Sequence, residues 1–230
     1  MPLRCKGKIN MKKKNVKTIW AALGALAAFV LWTILVRCVD VQPIGPDGSQ
    51  VGFAAINGAF HALTGVHWAL YTLTDWLGLI PIGIAFGFAV LGLVQLIRRK
   101  SLLKVDRDLL ILGGFYIAVL AAYLLFETVV INFRPVLIDG KLEASYPSST
   151  TMLALCVLPT AMMQLKTRIH EDAVRRAVLV ILAAFSVFMV VGRLISGVHW
   201  LSDIVGGVLL SAGLVSLYAL AANALEANKS

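Results

Sequence analysis

The sequence predicts an all-α, polytopic membrane protein. Of its 230 residues, 59% are hydrophobic and mean hydropathy is +0.85, whereas a soluble domain holds about 45–50% apolar residues. Apolar runs of roughly 20 residues recur, the length a helix needs to cross the hydrocarbon core. These runs lack the alternation of barrel strands, and lipid admits only helices or closed barrels.

Six spans are expected, at residues 18–36, 76–97, 109–131, 148–165, 177–193 and 201–222 of one membrane domain, residues 18–222. Residues 1–17, with seven Lys and Arg, read as a basic cytoplasmic tail, and residues 223–230 as a C-terminal cytoplasmic tail. The first run lacks a small-x-small cleavage site and so reads as an uncleaved anchor. Arg37 beside Cys38 is incompatible with lipoprotein processing, and Met1-Pro2 with myristoylation. Residues 39–50 are rich in Pro, Gly and Asp and form a loop.

Residues 51–77, interrupted by His61, His67 and Asp75, read as one or two interfacial helices between the first and second spans, lying over the site. His61 and His67 are six apart, on different helical faces, which disfavours metal ligation. The second span ends at Arg98-Arg99-Lys100. Its Gly78, Gly83 and Gly87 share a face suited to close helix packing, within the monomer or in an oligomer. The third span ends at Asn132-Phe133-Arg134-Pro135, the fourth opens near Ser148, and a charged loop at residues 166–176 leads to the fifth. Cys5, Cys38 and Cys156 form neither a metal spacing nor an even disulfide set.

The net charge of +9 does not mark a nucleic-acid partner. With the N-terminus inside, 17 of the 21 Lys and Arg fall in inner segments and only Arg37, Arg134, Lys141 and Arg193 fall outside. That is the positive-inside pattern: both termini in the cytoplasm, as in a bacterial plasma-membrane protein, and basic loops facing anionic lipid headgroups.

This topology puts three polar segments on the outer face: Arg134-Pro135, Tyr146-Pro147-Ser148-Ser149-Thr150-Thr151, and Arg193 to Asp203. Ionisable residues at membrane depth are costly and mark function. His199 and Asp203 are four apart; on a helix the carboxylate could accept one ring proton and leave the other nitrogen basic. Arg134 and Arg193 suit a multidentate grip on phosphate. Ser148, Ser149 and Thr150 at a helix start offer unpaired N–H groups and hydroxyls to an anion. Taken singly, each has a plainer reading: an interfacial His–Asp pair, a snorkelling Arg, an N-cap. Their conjunction favours a phosphate site.

In order and spacing these motifs resemble the type 2 phosphatidic acid phosphatase superfamily of integral membrane lipid phosphatases. That family carries Lys-x6-Arg-Pro, Pro-Ser-Gly-His and Ser-Arg-x5-His-x3-Asp on a six-helix core. Here the motifs read Glu127-x6-Arg134-Pro135, Pro147-Ser148-Ser149-Thr150 and Gly192-Arg193-x5-His199-x3-Asp203. The resemblance implies a metal-independent hydrolase without cofactor, acting on a lipid phosphate or diphosphate at the extracytoplasmic face. Phosphatidic acid, phosphatidylglycerol phosphate and undecaprenyl diphosphate are the substrate types. His199 would be the nucleophile and Asp203 its orienting carboxylate, with Arg134, Arg193 and Ser148 on the phosphate oxygens.

Two departures bear on chemistry. Glu127 stands where the family has a phosphate-binding Lys, and Thr150 where it has the His that protonates the leaving group. A diphosphate substrate needs little protonation. Alternatively Glu127, seven residues before Arg134 and on its helical face, is the substitute acid or merely its ion-pair partner. A degenerate lipid-phosphate-binding or transport protein and a lipid phosphotransferase remain as other readings.

Overall fold

The computed structural model describes residues 2–229, with side chains described for residues 15–225. Eight α-helices follow in chain order among the described residues: α1 (Pro2–Cys38), α2 (Ala54–Thr64), α3 (Trp68–Leu77), α4 (Leu79–Arg99), α5 (Arg107–Thr128), α6 (Ser149–Arg168), α7 (Asp172–Ile195) and α8 (Leu201–Lys229). No strand is formed among them, only isolated bridges. The basic N-terminal segment is continuous with the helix of the first apolar run. The region expected to be interfacial folds as two helices, α2 and α3, of which α3 falls within the apolar segment of the second span. Gly78 keeps helical dihedrals between α3 and α4, so the second span nearly continues from α3.

Five helical segments are long and apolar enough to cross a membrane: Asn15–Cys38, Trp68–Arg99, Arg107–Thr128, Asp172–Ile195 and Leu201–Leu225. They present Trp20, Leu31, Phe86, Ile117, Val180 and Val187 outward. Water would not tolerate so continuous an apolar surface, and the protein is an integral membrane protein. The remaining expected span, residues 148–165, corresponds to α6, which falls short of that apolar standard. Packing supplies the reason. α6 lies among α4, α5, α7 and α8 and buries Met152, Ala154, Leu158, Thr151, Thr160 and Gln164. A helix enclosed by other helices needs no lipid-facing surface, so its sequence holds polar residues that find protein partners: Thr160 Oγ1 donates to the Cys156 carbonyl at 2.7 Å and Gln164 Nε2 to the Tyr218 hydroxyl at 2.7 Å.

The largest apolar cluster joins α1, α5, α6 and α8 through Phe29, Leu112, Phe115, Met152 and Leu210, with Tyr146 from the loop before α6. Tyr146 fixes that loop: its hydroxyl lies 2.6 Å from Thr33 Oγ1. Its ring and hydroxyl occupy the space over Gly206, where any Cβ would meet them at 2.5 to 2.8 Å. The apolar core thereby holds the mouth of α6 against the start of α8.

Candidate active site

The site forms where α5, α6 and α7 end or begin on one side of the bundle. Residues 129–148 run between α5 and α6 as a stitched loop. Arg134 N donates to the Glu143 carbonyl at 3.0 Å and Ser145 N to the Asn132 carbonyl at 2.9 Å. The loop tip is closed by Asp139 and Gly140, both at positive φ, the pair a tight two-residue turn demands. Ser148 N donates to the Asp203 carbonyl at 3.1 Å, which ties the entry of α6 to α8.

Between α7 and α8 the chain turns at Ser196 and Gly197. Gly197 has φ +70°, and a Cβ there would lie 1.9 Å from the Gly65 carbonyl oxygen; only glycine permits the α2–α3 corner to close on this turn. The turn places His199 before α8 rather than on it. The expected stacking of His199 and Asp203 on one helical face therefore does not occur. Asp203 instead sits in the first turn of α8, where Oδ2 accepts the Trp200 N–H at 2.9 Å, the reciprocal contact of a capping box. Its Oδ2 stays 4.0 Å from His199 Nδ1.

Ser145 fills that gap. Its Oγ lies 2.9 Å from His199 Nδ1 and donates to Asp203 Oδ2 at 2.5 Å. Asn132 Nδ2 donates to the other carboxylate oxygen at 3.2 Å. Behind it, Asn57 of α2 donates to Ser202 Oγ at 2.9 Å and accepts the Ser202 N–H at 3.1 Å. On the far side of the ring, Arg134 Nη1 lies 3.3 Å from His199 Nε2. Burial, then the charges of Arg134 and Arg193, hold the His199 imidazole well below its ordinary value of 6.5. The ring is neutral at physiological pH, with a lone pair to use.

Arg193 is 1% exposed and is held by α3. Its guanidinium lies 5.0 Å from the Tyr71 ring centroid and 3.6 Å from Asp75, with Nη1 donating to Thr74 Oγ1 at 3.4 Å. Arg134 Nε lies 3.1 Å from Glu143 Oε2, an ion pair by distance without hydrogen-bond alignment. Among the described residues, seven buried side-chain polar atoms have no hydrogen-bond partner, and four of them lie here: Arg134 Nε, Arg193 Nε, Ser148 Oγ and Thr151 Oγ1. Ser148 occupies the N-cap position of α6 but makes no side-chain capping bond, so an ordinary N-cap does not account for it.

Of the remaining sequence candidates, Glu127 and Ser149 line the same small cleft as His199, Ser145 and Tyr123. Glu127 does not share a helical face with Arg134, because α5 stops at Thr128 and Arg134 lies in the loop beyond. The carboxylate on Arg134 is Glu143 instead. Thr150 lines a neighbouring groove of about 620 Å³ between α4, α5 and α6, walled by Leu79, Ile82, Tyr116, Leu120, Leu153 and Val157. Ser149 borders both spaces. Sequence reasoning missed Ser145, Asn132, Asn57 and Glu143. Ser145 directly precedes the Tyr146-Pro147 motif, and that adjacency was the one available signal.

The segment holding nearly all of this network has known relatives. Residues 128–226 match the PAP2 superfamily. The PAP2 segment includes Asn132, Arg134, Ser145, Ser148, Arg193, His199 and Asp203, whereas Glu127 falls one residue before it and the α3 residues holding Arg193 lie outside. The fold as a whole is similar to the crystal structure of a transmembrane PAP2 type phosphatidylglycerolphosphate phosphatase from Bacillus subtilis, with a TM-score of 0.56 and 18% sequence identity over 87% of this chain and 94% of that one. Among curated proteins no sequence match was found.

Proposed function

We propose that the protein is a membrane lipid phosphatase that removes phosphate from a lipid monophosphate or diphosphate through a phosphohistidine at His199, on the extracytoplasmic face. The observation that carries this reading is the set of buried donors left without partners. Folded proteins pair buried polar groups almost without exception, yet Arg134 Nε, Arg193 Nε and Ser148 Oγ have no hydrogen-bond partner. The two arginines are those whose charges act on His199. Three oxyanion donors and a neutral imidazole are what phosphoryl transfer to nitrogen requires.

In this mechanism the phosphate displaces Glu143 and Asp75 from the guanidinium groups. Nε2 attacks phosphorus, the bond to the lipid oxygen breaks, and its electron pair leaves with that oxygen. Glu127, in the same cleft as His199, supplies the proton to a monoester leaving group. Water then attacks the phosphohistidine, Glu127 takes its proton, the P–N bond breaks and the pair returns to Nε2. The groove between α4, α5 and α6 receives the lipid chain, with Ser149 at the junction. We place both termini in the cytoplasm by the positive-inside bias and read α6 as the enclosed fourth of six spans.

The test is phosphate release by the purified protein in detergent from phosphatidic acid, phosphatidylglycerol phosphate and undecaprenyl diphosphate. Turnover that disappears in His199→Ala is the expected result; turnover unaffected by that change overturns the assignment. A second reading, a lipid-phosphate binder without turnover, is favoured by Thr150, which faces the groove and offers no acid. It requires binding lost in Arg134→Ala or Arg193→Ala with no release from any of the three substrates.

A further inference from the structure

We propose that Ser145 is a positioning residue, a hydroxyl link that couples the Asp203 carboxylate to the His199 nucleophile in the directed order Nδ1–H to Oγ, then O–H to Oδ2. Its catalytic consequence rests on the phosphatase reading above; the bonding order does not.

The order follows from which atoms can donate. A guanidinium has only donors, so the Arg134 Nη1 contact at 3.3 Å makes His199 Nε2 the acceptor. A neutral imidazole carries one N–H, which must then be on Nδ1. That N–H cannot reach Asp203 at 4.0 Å, beyond hydrogen-bond length, but it meets Ser145 Oγ at 2.9 Å. Having accepted there, Ser145 has one proton left to give, and Asp203 Oδ2 is 2.5 Å away. Asp203 accepts from the Trp200 N–H and from Asn132 Nδ2 as well, so every contact it makes suits an acceptor.

The placement of Ser145 is built rather than incidental. Its side chain and backbone are 3% exposed, its N–H is tied to the Asn132 carbonyl, and Tyr146 beside it is locked under Thr33 and Gly206. During transfer the new Nε2–P bond leaves positive charge on the ring. The proton stays on Nδ1, and Ser145 passes the stabilising pull of the carboxylate to it. When the P–N bond breaks, the ring returns to the same tautomer, ready to attack again.

The experiment uses the full-length protein in detergent with ¹⁵N-labelled histidine. The chain has four histidines, and His199→Ala identifies the signal of interest. The wild type is expected to show the Nδ1–H tautomer at His199 with a hydrogen-bonded Nδ1 proton. In Ser145→Ala, where Arg134 still holds Nε2 as the acceptor, the tautomer is expected to stay and the Nδ1–H resonance to move upfield as its partner at 2.9 Å is lost. With phosphatidic acid, Ser145→Ala is expected to lower kcat about 10- to 100-fold, as loss of an orienting partner does, while KM stays within about twofold. Ser145→Thr restores most of kcat and of the Nδ1–H signal; Ser145→Cys, of similar shape but a weaker donor, falls between. An Nδ1–H resonance left unmoved in Ser145→Ala overturns the proposal, whether or not activity falls. Absence of wild-type turnover on all three lipid substrates, or turnover surviving His199→Ala, instead defeats the phosphatase reading and leaves the Nδ1–H measurement to decide the link.

Discussion

The bundle has a polar cluster at each end, and they are built differently. At the end where α4 and α6 finish and α5 begins, Arg168 pairs with Asp108 at 2.6 Å and Arg99 with Asp106 at 2.8 Å. Gln95 Nε2 donates to Asp106 and Gln164 Oε1 accepts from Arg168. The charged groups here are partly exposed, and the cluster supplies its own partners. At the other end, Arg193, His199 and Asp203 are almost wholly buried, and Arg134 and Arg193 each keep an Nε that makes no hydrogen bond. A polar cluster that completes itself is structure. A buried one with donors to spare is shaped for something that arrives from outside.

The sharpest way to break this contrast is at the nucleophile. His199→Ala is expected to abolish turnover, by at least about 10³-fold, measured as phosphate release; residual wild-type rates would make the two ends equivalent. Glu127→Gln follows, with a loss of about 10²–10⁴-fold on a monoester and much less on a diphosphate. A fully active Gln variant removes Glu127 from the mechanism. Arg193→Ala is expected to cost about 10²–10³-fold in kcat/KM, the usual scale for losing an oxyanion contact, while the protein stays folded by circular dichroism.

A smaller effect concerns pH. Because the His199 value is depressed, the ring stays neutral as pH falls below 6.5, and activity requiring the neutral ring is lost only well below that pH. Arg134 is one of the cations depressing it, so Arg134→Ala moves the acid limb of kcat/KM upward, by less than the whole depression because burial is the larger cause. An unmoved limb would mean that the charge of Arg134 does not reach the ring. Smallest of all, Arg168→Ala at the opposite end is expected to leave turnover within about twofold and to lower stability by about 0–1 kcal/mol, as for partly exposed pairs. A loss there as large as at Arg193 would erase the distinction.

Most of the helices, the integral membrane class and the third motif were legible in the chain because each is written locally. Run length and hydropathy mark spans, and the Arg193-x5-His199-x3-Asp203 spacing marks a motif without any knowledge of partners. The same local logic failed where a neighbour decided the matter. Residues 148–165 read as a span, yet α6 falls short of the apolar standard the other five segments meet, because its surroundings are protein. The seven-residue step from Glu127 to Arg134 implied a shared face, but α5 ends between them. The four-residue step from His199 to Asp203 implied direct contact, but the turn at Gly197 holds His199 outside the helix.

What the sequence determined alone was therefore a membrane bundle of apolar helices with one chemically loaded end, since hydropathy and helical period act over a few neighbouring residues. Tertiary structure decided which groups meet. Ser145 reaches His199 across 54 positions of chain, and Thr74 reaches Arg193 across 119. No periodicity extends so far: those pairings come from how the helices pack, and packing also chooses which buried donors are satisfied and which are left for an anion.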